Sequence, residues 1–129
     1  MTSEKKKILL VEDEDNIALA LEFLISRQGF DLHRVSDGKQ ALRVLSGDLP
    51  DLVVLDLRLP DRSGYEILQH IRNTEPLKVL KVLLMTASGG EIEQRKGLAL
   101  GADEFMTKPF DTTELTRKIC QMLGEEYNG

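Results

Sequence analysis

Two hydrophobic patterns alternate along the chain. Short, nearly continuous apolar runs occupy residues 8–11, 52–55 and 82–85. Each has strand length and lacks the polar alternation of a half-exposed sheet. A weaker strand pattern covers 31–35, after Gly29, and a short one covers 104–106, before Thr107. Between these runs the spacing becomes helical. Ile17, Leu21, Leu24 and Ile25 share one face, as do Leu115, Ile119, Met122 and Leu123. Three helix starts carry a capping side chain followed three residues later by glutamate: Ser63 with Glu66, Ser88 with Glu91, and Asp111 with Glu114. Arg95 and Lys96 interrupt the helix after Glu91, which is therefore expected to pack least firmly.

The order is strand, helix, repeated five times. Continuous apolar strands separated by helices predict a parallel sheet covered on both faces. Right-handed crossovers then favour a single doubly wound α/β domain of the flavodoxin-like type, (βα)5, with strand order 2-1-3-4-5. Its crevice lies at the carboxyl ends of strands 1 and 3. The whole chain, 1–129, reads as one domain with a core of about 6–123; residues 1–5 and 124–129 read as flexible ends.

Composition narrows the function. The chain has 129 residues, 41% hydrophobic and 30% charged, with a formal net charge of −5. A basic nucleic-acid footprint is absent, so no direct nucleic-acid contact is expected. No apolar run is long enough to span a bilayer, and MTSEKKK lacks the apolar centre of a signal peptide. The single Cys120 has no internal disulfide partner, which fits a reducing cytoplasm. Cys120 is expected half-buried on the last helix, and His33 and His70 at the surface; none of the three has zinc-like spacing.

The strand ends carry the chemistry. The first strand runs into Glu12 and Asp13, the third ends in Asp56, the fourth in Thr86, and the fifth leads through Thr107 to Lys108 and Pro109. In the expected topology these groups emerge at one edge. Glu12, Asp13 and Asp56 bring three negative charges if ionised, and Lys108 returns one. Such crowding raises pKa values or requires a cation, and a divalent ion would bring the local sum to zero. Oxygen donors suit Mg²⁺, which also favours phosphate oxygens. Attack by Asp56 on phosphorus would give an acyl phosphate, with Lys108 and the Thr86 hydroxyl near its oxygens. Taken singly, Asp56 reads as a cap at a strand end, Thr86 as a helix cap and Phe105 as a core aromatic. It is the combination that points to a site.

At these residues the chain resembles a response-regulator receiver domain of two-component signalling. The motifs are ILLVEDE, LDLRLPDRSG, LLMTAS and GADEFMTKPF. The resemblance covers roughly residues 6–123. It implies Asp56 as phosphoacceptor, and Mg²⁺ (Mn²⁺ as the alternative) held by Glu12, Asp13, Asp56 and the Arg58 carbonyl. It further implies Thr86 as switch hydroxyl, the Ala87 N–H and Lys108 as phosphate partners, and Phe105 as the aromatic that turns inward. Pro60, Gly64 and a cis-type Lys108–Pro109 bond fit the same pattern. Arg58 and Ser88 fall at variable positions beside the pocket and are expected to tune phosphate lifetime. The implied partners are a sensor histidine kinase or histidine phosphotransfer protein, an output domain or target, and a second copy through helix 4, strand 5 and helix 5. The implied role is signalling rather than enzymatic turnover.

Two other classes share parts of this pattern. An aspartyl-phosphate phosphatase of the haloacid-dehalogenase type would carry a second aspartate as general acid where Arg58 stands. A flavodoxin-like flavin binder would need a donor-rich phosphate loop where residues 12–15 are acidic.

Overall fold

The computed structural model describes residues 5–87 and 90–128. Its strands are β1 (Lys7–Val11), β2 (Asp31–Val35), β3 (Leu52–Asp56), β4 (Lys81–Thr86) and β5 (Glu104–Thr107). They alternate with α1 (Asp15–Arg27), α2 (Gly38–Leu45), α3 (Gly64–Arg72), α4 (Glu91–Ala99) and α5 (Thr112–Leu123). A 3-10 turn at Leu77–Val79 precedes β4; three residues are too few to show a period. All strand pairings are parallel, in the order β2-β1-β3-β4-β5, as the alternation of elements predicts.

Strand alternation divides the core into two layers. Leu9, Val11, Val53, Leu55, Val82 and Leu84 face α2 and α3, meeting Ala41, Leu45, Ile67, Leu68 and Ile71. Ile8, Leu10, Leu52, Val54, Leu83 and Met85 face α1 and α5, meeting Ala18, Leu21, Ile25, Leu115 and Ile119. β3 is buried along its whole length, which is why its sequence has no polar alternation. Cys120 lies wholly in the second layer, deeper than the half-buried position expected of it. Burial pushes its thiol above the usual value.

α4 differs from the other helices. Only Gly97 is buried, and Ile92 is 84% exposed. A Cβ on Gly97 would stand 2.7 Å from Leu84 Cδ1, so the missing side chain is what lets the helix approach the sheet. The weak apolar stripe around Arg95 and Lys96 has this consequence. The N-cap of α4 is Gly90, two residues after the Ser88 expected there. The helix starts at Glu91 behind Gly90, which makes no side-chain cap bond, and Ser88 itself lies outside the described residues. Glu91 and Glu93 in the first turn complement the helix dipole instead. The other two expected caps are present: Ser63 accepts from the Tyr65 N–H, and Asp111 from those of Thr113 and Glu114.

α5 ends at Gly124, whose φ of 69° lies in the left-handed region that favours glycine. Residues 125–128, expected as part of a frayed end, run back over α1. Gln28 donates through Nε2 to the Asn128 carbonyl and accepts from the Asn128 N–H, each at 2.9 Å. Arg117 stacks 5.1 Å from the Tyr127 ring centre. Pairings so distant in sequence leave no periodic trace. Among the described residues no helix is long and apolar enough to cross a membrane.

At the opposite end of the sheet from the acidic residues, Arg72 gathers three backbone carbonyls and a carboxylate. It donates to Gly101, Lys78 and Leu80 oxygens at 2.8, 3.0 and 2.7 Å and pairs with Asp103 at 3.0 Å. Arg72→Ala leaves these acceptors without that donor, and we expect it to lower the unfolding free energy by roughly 2–4 kcal/mol in urea denaturation. A loss below about 0.5 kcal/mol, the level of an ordinary surface substitution, would contradict this reading.

Candidate functional site

β1 and β3 are central neighbours, with Val11 paired to Leu55. The next residues are therefore Glu12 and Asp56, side by side where the strands end. The Glu12 N–H continues the ladder to the Val35 carbonyl at 3.1 Å. β5 ends two strands away, and the Lys108 N–H bonds the Thr86 carbonyl at 2.7 Å. The Lys108–Pro109 peptide is cis.

These three ends meet through one ammonium. Lys108 Nζ donates to Glu12 Oε1 at 2.8 Å and to Asp56 Oδ2 at 2.9 Å. The Glu12 side chain is 0% exposed, that of Asp56 6%, and that of Lys108 11%. The second oxygen of each carboxylate is also used. Glu12 Oε2 accepts from the Glu14 N–H at 3.0 Å, and Asp56 Oδ1 accepts from the Arg58 N–H at 3.0 Å. Asp13 stands exposed at the mouth. Carboxylate oxygens of Glu12, Asp13 and Asp56 all lie within 4.8 Å of one another.

Burial pushes the Glu12 carboxyl above its usual value, and the Asp56 charge adds to this; Lys108 and the Glu14 N–H oppose it. For Lys108 burial works against the charged form, but its bonds to Glu12 and Asp56 outweigh that and raise its pKa. One lysine thus leaves the acidic cluster undercompensated. Three converging carboxylates with no nitrogen or sulfur ligand are the donor set of a hard divalent cation such as Mg²⁺. The same charges are hostile to a flavin phosphate.

The β3–α3 loop keeps Asp56 in place. The Leu57 N–H bonds the Met85 carbonyl at 2.9 Å, the Gly64 N–H bonds the Leu57 carbonyl at 2.7 Å, and Arg58 bridges Ser63. A Cβ on Gly64 would meet the Asp56 carbonyl oxygen and lie 2.8 Å from Leu57 Cα, so only glycine fits this crossing. Asp61 anchors the loop to α2 by accepting the Gly38 and Lys39 N–H groups at 2.8 and 2.9 Å. Those bonds hold its carboxyl below the usual range.

The other expected site residues fall nearby. Thr86 is buried at the end of β4, one residue past Met85, the register partner of Asp56. Ala87 follows, exposed. Arg58, Pro60 and Pro109 are exposed around the rim, and Ser88 lies outside the described residues. Phe105 is not at the acidic cluster. It is half-buried on the α2/α3 side of the sheet, paired with Leu84 and close to Gly97. His33 and His70 are exposed and apart from the site.

Two residues stand out that the sequence pattern did not mark. Tyr65 donates its hydroxyl to the Glu93 carbonyl at 3.1 Å, and Lys96 Nζ lies 4.5 Å from its ring centre; together these tie α4 to α3. Arg34 on β2 reaches the Glu12 carbonyl at 2.9 Å. An arginine at the end of the strand beside β1 was the available signal.

Residues 8–120 match the family model described as response regulator receiver domain. The alkaline phosphatase synthesis transcriptional regulatory protein PhoP of Bacillus subtilis (strain 168) is 38% identical over 118 residues, 92% of this chain and 48% of that protein. The chain thus spans about half the length of this curated relative. The BeF3-activated DrrB receiver domain superposes with a TM-score of 0.85 at 31% identity, covering 95% of this chain and 100% of that one. The receiver domain of sensor histidine kinase PA1611 from Pseudomonas aeruginosa PAO1, solved with a magnesium ion coordinated in its active-site cleft, gives 0.85 at 29% identity, again covering 95% and 100%.

Two outcomes follow from the geometry. The folded-state pKa of Glu12 lies above its ordinary 4.5, so the folded chain binds more protons and loses stability as pH rises through that interval. Glu12→Gln removes this loss. Its stability relative to wild type, from urea denaturation with a chelator present, should increase as pH is raised above 4.5; a pH-independent difference would refute the burial argument. Gly64→Ala should cost roughly 2–3 kcal/mol by overpacking the loop beneath Asp56, measured the same way.

Proposed function

The chain belongs to the response regulator receiver domain family, and from that premise we propose that Asp56 is its phosphoacceptor. The observation that carries this reading is the shared Lys108 ammonium, which holds a buried aspartate beside two further carboxylates. The donor is a phosphorylated imidazole on a sensor histidine kinase or histidine phosphotransfer protein. An Asp56 oxygen attacks phosphorus, an O–P bond forms and the N–P bond breaks. Its electron pair stays on the imidazole, which takes up a proton. No general base is required of the protein, because the nucleophile is a carboxylate.

Glu12, Asp13, Asp56 and the Arg58 carbonyl would hold Mg²⁺ (or Mn²⁺), which supplies charge neutralisation for the phosphoryl oxygens. Lys108 begins bonded to Asp56 Oδ2. Once Asp56 is an acyl phosphate its carboxyl group has lost its charge, and the ammonium re-pairs with the phosphoryl group. The Thr86 hydroxyl and the Ala87 N–H offer further donors at the adjoining strand end. Arg58 and Ser88 control water access to the acyl phosphate. Reaction and hydrolysis occur on the chain's own aspartate, so the role is a switch.

The readout is a change in the α4, β5 and α5 surface, with Phe105 turning inward. α4 buries one residue, so displacing it exposes little apolar area and costs little. A local charge event can then bias a two-state element. This surface would serve a target, an output domain or a second copy of the chain, in the cytoplasm.

Incubation with Mg²⁺ and acetyl phosphate should give one phosphoryl adduct by intact mass, abolished by chelator and by Asp56→Asn. An adduct that survives Asp56→Asn would overturn the assignment. Lys108→Ala should still accept phosphate, more slowly, but lose the accompanying amide shifts in α4 and β5. Full shifts in the phosphorylated variant would refute the coupling role.

A further inference from the structure

β2 is the edge strand beside β1, and its register sets Arg34 against Leu10. From there the side chain makes two contacts with the chain beyond β1. Nε donates to the Glu12 carbonyl at 2.9 Å, and Nη1 meets Asp15 Oδ1 at 3.0 Å. Asp15 is the first residue of α1. One guanidinium therefore spans the turn of Glu12, Asp13 and Glu14, which carries two of the three clustered carboxylates.

The contacts are unequal. The Asp15 side chain is 91% exposed, so its ion pair is screened and contributes little. The Glu12 carbonyl bond is part-buried. Nη2 is buried with no hydrogen-bond partner among the described residues. An orphaned buried donor is unfavourable, so Arg34 is not a freely solvated surface charge. Its positive charge also disfavours a cation nearby. The same charge offsets the acidic cluster, so any help Arg34 gives to a bound cation must come from the backbone it fixes, not from its charge.

We propose that Arg34 is a positioning residue for the cation site. Its Nε fixes the Glu12 carbonyl and thereby orients the backbone that presents the Glu12 and Asp13 carboxylates. This rests on the reading that Glu12, Asp13 and Asp56 bind Mg²⁺. Supporting groups of this kind typically change metal affinity by about 10–100-fold. Acting through the backbone, Arg34 falls at the lower end.

Positioning and charge have opposite signs, which makes the role testable. Glutamine places its Nε2 where arginine has Nε, so Arg34→Gln keeps the donor and drops the charge. Arg34→Met reaches as far as the Nε position and drops both. Arg34→Lys keeps the charge and moves the donor outward. Mg²⁺ binding is measured on the full chain by calorimetry and by the Mg²⁺-dependent shift in melting temperature. Arg34→Met and Arg34→Lys should weaken Mg²⁺ about tenfold, whereas Arg34→Gln should stay near wild type or bind more tightly. Equal or tighter binding by Arg34→Met would overturn the proposal, as would Arg34→Gln weakening as much as Arg34→Met. If Arg34→Met is unfolded in chelator, the lysine and glutamine variants decide by the same criterion. A wild-type chain that binds no Mg²⁺ overturns the site reading together with this role. Wild-type binding that the methionine and lysine variants retain in full overturns the Arg34 role alone.

Discussion

One ammonium, the Lys108 Nζ, joins three strand ends that are distant in sequence. It closes a buried triad with Glu12 and Asp56, and most features around it follow from that constraint. Two carboxylates can occupy the end of an apolar sheet only when a cation and hydrogen-bond donors meet them. The N–H groups of Glu14 and Arg58 supply those donors. The triad still leaves a surplus of negative charge once Asp13 is counted, and that surplus is of the kind a divalent ion would neutralise. The same arrangement that stabilises the folded chain therefore leaves its charges unbalanced.

The backbone around the carboxylates is held by many specific contacts, whereas α4 is held by few. Gly64 crosses directly under the Asp56 carbonyl, Asp61 bonds the same loop to α2, and Arg34 brackets the β1–α1 turn. By contrast α4 is held by Gly97 against Leu84, by the Tyr65 hydroxyl and by a cation over the Tyr65 ring. A phosphoryl group arriving at the first set meets fixed partners. In the switch reading, the second set is the one such an event would redistribute. The sheet also separates two of these residues: alternation puts Asp56 on the α1/α5 side, above Val54, while Phe105 packs on the other.

The strands and their order were readable because burial on both faces produces unbroken apolar runs, and parallel pairing then restricts the topology. The pocket was readable for a related reason: polar residues directly after such runs must emerge at one edge. Arg34, Tyr65 and Asp61 were not. Each acts through a backbone atom of a residue remote in sequence, and a carbonyl or an N–H carries no residue identity. The start of α4 was less legible, because a capping residue three positions before a glutamate is a short, common pattern, and Gly90 stands at the N-cap. Residues 125–128 were hidden because Gln28 clasps the Asn128 backbone, which any residue type would offer.

α4 has a wider consequence. Of its nine residues one is buried, and that one is glycine. Its hydrogen bond from Tyr65 ends on the Glu93 carbonyl, which any residue type would offer, and Lys96 over the Tyr65 ring adds one side-chain contact. Folding therefore places few demands on the sequence of its outer surface. Substitutions there can accumulate with small effects on stability, while the residues at the strand ends stay fixed by their mutual contacts. A helix that contributes little to the core is, for the same reason, the part of this scaffold most easily rewritten.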